Sequence, residues 1–278
     1  MIASRRGVRR IAAAVCLAAV AFSANAAGRG RIRALNVSIQ PLFVLLSAAI
    51  QGHLKSASDA LRCAGSGVVA GYGFYEAKAV AGRQRITEGW AIGNVASSIS
   101  RNAASGLNPL ARLGFAIGPF RVDVTTPLEP NSYAAVHLSG SITEVGALVD
   151  IARKSDRVTF ANGMIQFRKN GFFDGTTDVD GLTSGIYPSV SAGTTRDVLA
   201  HETIHALQAL QMDSVEPPTW KVKSGRFTIV RFDRIDTGFV QFANALATRN
   251  TAYENEWGEI EAYRLAEHMA PPRCGQCN

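Results

Sequence analysis

The chain has 278 residues and an ordinary apolar share of 47%, enough for one large or two small domains with a real core, which excludes a disordered or fibrous protein. Its formal charge is +7, but four of those charges come from Arg5, Arg6, Arg9 and Arg10, and residues 1–26 contain no acid, so the remainder carries only +3. A surplus that small on a chain of this length is a solubility feature and gives little support to nucleic-acid binding.

Residues 1–26 form a basic start, an apolar run from Ile11 to Phe22 and a small-residue exit at Ala24-Asn25-Ala26. That is the layout of a cleavable export signal, and the expected location is periplasmic or extracellular. Cys16 would leave with the signal, so Cys63, Cys274 and Cys277 remain, and at most one bridge forms among three thiols. The Cys274-Gly275-Gln276-Cys277 tail, within residues 271–278, reads as a staple or a frayed end.

Residues 27–110 are expected to be a helical, small-residue-rich region. Gln40 to Leu61, with Leu42, Leu45, Leu46 and Ile50, predicts one helix, and no stretch after the signal is taken to span a membrane. Ala64 to Gly82 contains Gly65, Gly67, Gly71 and Gly73 without the preceding strand and terminal lysine that a phosphate loop needs. Close helix packing or turns explain it better, and Trp90 to Gly106 is expected to pair with it as a helical hairpin.

Residues 111–270 change character. Arg112 to Thr125, Tyr133 to Leu138, Arg157 to Phe160 and Met164 to Phe167 are β-rich runs between turn residues, and they predict a small, mostly antiparallel sheet. Gly185 to Ser191 is a further extended piece whose position suits an edge strand beside a cleft, able to pair with an extended peptide. The fold class is therefore α+β.

Thr194 to Met212 predicts one uninterrupted helix, opened by Thr194 and Asp197 as a capping box. It carries His201-Glu202-Thr203-Ile204-His205. A four-residue step turns a helix by about 400°, so the two imidazoles leave nearly the same face and can grip one metal ion. Glu202, about 100° round from His201, stays out of the ligand set but within reach of a water on the ion. Leu199, Thr203, Ala206, Leu207 and Leu210 form a stripe on the other side that would anchor the helix in the core. A chain of this composition would contain the five-residue pattern by chance about 0.004 times.

Catalytic zinc takes three protein ligands and keeps one open position, so a third ligand must come from elsewhere. His53, His137 and His268 are isolated, whereas Thr251 to His268 reads as a helix bearing Glu254, Glu256, Glu259, Glu261 and Glu267. Such an acidic run is usually a solvated face. Glu259 shares its side with Ala262, Tyr263 and Ala266, small neighbours that permit close approach, while Glu261 lies with Trp257, Leu265 and His268. Glu259 is thus preferred over Glu261.

The two motifs resemble the Glu-zincin metallopeptidases, the thermolysin-like clan in which an HExxH helix is followed by a helix giving a glutamate ligand. Many members show Glu-x-x-Ala there, and this chain has Glu259-Ile260-Glu261-Ala262. The resemblance implies a zincin-like core, Zn2+ held by His201, His205 and Glu259, and Glu202 as general base in hydrolysis of a peptide or protein substrate. It also implies an acid four residues after the glutamate, where this chain has Tyr263. Tyr187, Tyr253, Tyr263 and His268 are candidates to stabilise the oxyanion. The alternative from another class is an envelope binding or structural protein with a zincin-like fold and no turnover.

Overall fold

The computed structural model describes residues 29–128, 134–138, 142–171, 181–191, 193–212, 219–224, 227–233 and 257–266. The signal-like segment, the cysteine tail, Tyr253 and His268 lie outside the described residues.

Three helices lead: α1 (Arg29–Ile50), α2 (Ala57–Gly82) and α3 (Ile86–Ala104). The expected single helix from Gln40 to Leu61 is in fact split between α1 and α2, and the cause is local. Gly52 takes φ +78, and the amides of Gly52 and His53 return to the carbonyls of Ala49 and Ala48, a Schellman stop. Ser56 and Asp59 then form a reciprocal capping box that starts α2. The α2–α3 hairpin is present as expected. Gly67 and Gly71 let α1 lie directly on α2, since a Cβ at Gly67 would sit 2.7 Å from the Pro41 nitrogen and one at Gly71 would sit 2.9 Å from Val37 Cα. Among the described residues α1 is long and apolar enough to cross a membrane, contrary to expectation, but half of its apolar window is buried in the protein, along with polar Asn36, Gln40 and Ser47.

Among the described residues the β-rich part forms two sheets where one was expected. Strands β1 (Arg112–Ile117), β2 (Phe120–Thr125) and β3 (Ala134–Leu138) join β8 (Thr219–Ser224) and β9 (Phe227–Asp233) in the order β1-β2-β3-β9-β8, with β3 and β9 parallel. After helix α4 (Ile142–Lys154), strands β4 (Arg157–Ala161), β5 (Met164–Lys169), β6 (Gly181–Ser184) and β7 (Tyr187–Ser191) form the second sheet in the order β4-β5-β7-β6, with β5 and β7 parallel. The segment expected at an edge is therefore interior. β7 is hydrogen-bonded on both sides and every residue in it is buried, while β6 ends the sheet among the described residues.

Helix α5 (Arg196–Met212) lies between this second sheet and the α2–α3 hairpin, and α6 (Trp257–Leu265) packs on α5, α2 and α1. Helix α5 starts two residues later than Thr194, and Asp197 accepts a hydrogen bond from Gln84 in the α2–α3 turn. One apolar cluster runs through all of these elements, from Ile32 and Phe74 through Trp90, Tyr187, Leu199, Leu207 and Leu210 to Ala262 and Leu265. Leu199, Thr203, Ala206, Leu207 and Leu210 are all buried, so the α5 stripe anchors as expected. Cys63 is a buried free thiol facing the Ala103 carbonyl, and burial pushes its pKa up.

Candidate metal centre

A helix that carries His at i and i+4 presents both rings one turn apart, and packing decides what meets them. Here α6 crosses that face and brings Glu259 between the rings. His201 Nε2 and His205 Nε2 are 3.1 Å apart, Glu259 Oε2 is 3.3 Å from His201 Nε2, and Glu259 Oε1 is 3.1 Å from His205 Nε2. The three residues form a group that can hold a metal ion. With ligand distances of about 2.0–2.2 Å, two donors on a tetrahedral ion stand about 3.3–3.6 Å apart. Each of the three contacts is near that separation, the two to Glu259 being made by different oxygens of its carboxylate, and one atom from each residue lies within 4.8 Å of the others.

Chemistry and burial point the same way. His201 is 4% exposed and Glu259 5%, so the acid run is no solvated face where it reaches the site. In the metal-free protein His201 and His205 can each donate to a different Glu259 oxygen, and once those protons leave, the same three side chains offer two imidazole lone pairs and a carboxylate to a divalent cation. Among the described residues, His201 Nδ1 meets no hydrogen-bonding partner, and its ring is positioned instead by Tyr263, 4.5 Å away between centroids, and by His205 at 4.8 Å. Tyr263 thus contributes an aromatic wall. Tyr187 packs edge-on against Phe167 at 6.2 Å and is a core residue.

Glu202, 6% exposed, points toward β6. The Thr183 hydroxyl lies 2.7 Å from Glu202 Oε2 and 2.9 Å from the Glu202 carbonyl. A Cβ at Gly181 would come within 2.6 Å of Glu202 Oε1, so a glycine there lets the strand close over the carboxylate. Burial pushes the Glu202 pKa up, while nearby His205, His201 and the Thr183 hydroxyl hold it down. For His205 burial acts downward, but its hydrogen bond to Glu259 and the charges of Glu202 and Glu259 outweigh it and raise the pKa to about 9.

Glu261, the less favoured candidate for third ligand, turns to the opposite side of α6. It is 1% exposed and forms an ion pair at 2.9 Å with Lys78, also 1% exposed. Burial pushes the Lys78 pKa down and Glu261 opposes that. Asn36 donates to Glu261 Oε1 at 2.6 Å, and Gln208 donates to its Oε2 at 2.8 Å. Lys78, Asn36, Thr183 and Gln208 were not singled out by sequence. Gln208 had a signal, since it follows His205 by three residues on one helix face. Lys78 had a weaker one, as a charge in a helix otherwise dominated by small and apolar residues.

The chain matches no family model, no curated protein and no solved structure.

Proposed function

We propose that the chain is an exported zinc-dependent metallopeptidase of the zincin kind, in which His201, His205 and Glu259 hold the ion and Glu202 is the general base. The observation that carries this reading is the 3.1–3.3 Å triangle of two imidazole nitrogens and a carboxylate, with a second, buried carboxylate on the next residue of the same helix.

When bound, a zinc ion supplies Lewis acidity, polarising a carbonyl oxygen and making a water acidic near neutral pH. Glu202 then has one task in two directions, to take a proton from the attacking water and to hand it to the departing amine. A carboxylate raised by burial suits both, because its proton affinity lies nearer the working pH than that of an exposed glutamate. Thr183 keeps its orientation fixed. Among the described residues the outer edge of β6 has no partner strand, and it would offer backbone groups to an extended peptide beside Glu202, the role expected of Gly185–Ser191.

Purified wild type and Glu202→Gln should each carry about one zinc equivalent, and only the wild type should cleave a mixture of unstructured peptides. Equal cleavage by the two proteins rejects Glu202 as base. One zinc bound with no cleavage by either favours the non-catalytic binding protein, and no zinc in the wild type rejects the centre.

A further inference from the structure

We infer that Lys78, on the leading helical hairpin, is a positioning residue for His205, acting through Glu261 and Gln208; the inference rests on the metal reading above.

The argument follows hydrogen atoms along the chain of contacts. Gln208 Nε2 is 2.9 Å from the Gly258 carbonyl oxygen and 2.8 Å from Glu261 Oε2, and neither of those oxygens can donate. The amide therefore turns both hydrogens toward them, and Oε1 must face His205 Nδ1 at 2.9 Å. An amide oxygen only accepts, so Nδ1 carries the hydrogen and donates it. In the neutral ring Nε2 is then left as a lone pair aimed into the triangle with His201 and Glu259, the form in which an imidazole binds a metal.

Glu261 fixes Gln208 only if its own carboxylate is fixed, and that is the part of Lys78. The ammonium has three hydrogens and finds Asn36 Oδ1 at 2.8 Å, Gln211 Oε1 at 2.7 Å and the Glu261 oxygens at 2.9 and 3.0 Å. Asn36 closes the arrangement by donating to Glu261 Oε1 at 2.6 Å and to the Ile32 carbonyl at 2.9 Å. Residues from α1, α2, α5 and α6 thus meet in one buried network that ends on a metal-facing ring.

A buried ion pair is a poor source of stability, since removing two charges from water commonly cancels their attraction. What such a pair does supply is a fixed direction, and here that direction is passed to His205. Gln208 lies on the ligand helix itself and holds His205, while position 263 faces the other ring, His201.

The test is zinc affinity by competition with a chromogenic chelator on full-length chain, together with the visible spectrum of the cobalt-substituted protein. Gln208→Met keeps the side-chain volume and should weaken zinc binding about 10- to 100-fold with altered cobalt bands, while the metal-free protein still melts cooperatively at a temperature lowered by the three lost hydrogen bonds. Lys78→Met alone strands the Glu261 charge and risks misfolding, so the paired Lys78→Met with Glu261→Leu is the second variant. It should fold and still bind zinc about 10-fold or more weakly. Wild-type affinity and cobalt bands in either Gln208→Met or the paired variant overturn the inference alone. A wild type that takes up no zinc overturns the metal reading, and this inference with it.

Discussion

Replacing Gly82 by alanine probes whether the third ligand is placed by packing between α2 and α6. A Cβ at Gly82 would lie 2.6 Å from the Leu265 carbonyl carbon and 3.1 Å from the Ala266 nitrogen, with the Leu265 carbonyl oxygen closer still. All three obstacles are backbone, so no rotamer change relieves them. Carbon atoms in contact stand about 3.5–4.0 Å apart, so α6 must withdraw from α2 by about 1 Å. Overpacking of this kind costs about 1–3 kcal/mol of stability. At the proposed zinc centre the larger effect would fall on the metal, because ligand distances tolerate only about 0.2 Å and Glu259 is carried on the displaced helix. Gly82→Ala should therefore lose zinc affinity by more than 10-fold in chelator competition, along with a lower melting temperature. Gly89→Ala is the control. Its Cβ meets the Ala77 carbonyl oxygen at 2.6 Å, between α2 and α3, and should lower the melting temperature with a much smaller change in zinc affinity. Wild-type zinc affinity in Gly82→Ala would refute the claim that this helix contact sets the position of Glu259.

Thr183→Val removes a donor that holds the Glu202 pKa down, so burial acts with less opposition and the pKa rises further. With Glu202 as the proposed base, which must be ionised, the acid limb of the kcat/KM profile should move to higher pH; an unmoved limb would remove Thr183 from the argument. In the metal-free protein His205 has a folded pKa of about 9 against 6.5 for the free ring, so its contribution to stability is complete below 6.5 and is lost as pH rises through about 9. Melting temperatures in excess chelator should fall across that window more steeply for wild type than for His205→Gln, and parallel curves would contradict it.

The part of the site written in local periodicity was readable. The i, i+4 step put His201 and His205 on one face, the apolar stripe of α5 anchored the other, and the small neighbours of Glu259 marked the side on which α6 approaches closely. The helix break at Gly52 and the restart at Ser56 and Asp59 were equally local, and an apolar run through Gln40 to Leu61 masked them. What could not be read was anything decided by distant pairing. The Lys78–Glu261 ion pair joins residues 183 positions apart, and the seat of β7 between β5 and β6 depends on a parallel pairing that alternation along a strand does not encode. Gly185–Ser191 suited an edge by its position just before the histidine-bearing helix, yet in register Pro188 faces Thr183 inside the sheet.

Two glutamates two residues apart on α6 do different work, and the helix geometry links them. At about 100° per residue, Glu259 and Glu261 leave the helix about 200° apart, so one faces the imidazoles while the other faces Lys78. The Lys78 pair therefore acts as a rotational stop. Side-chain ends lie about 5–6 Å from a helix axis, so a 10° rotation of α6 would shift the Glu259 carboxylate by about 1 Å. That exceeds by several times the error a metal shell accepts. A partner such as leucine at position 261 would fill the space but would leave the rotation to be set by dispersion contacts, which are non-directional. The ion pair at 2.9 Å, with Asn36 and Gln208 on the same carboxylate, is directional. Its contribution is hence to geometry more than to stability, which is why a chain with an otherwise apolar α2 face places a lysine there.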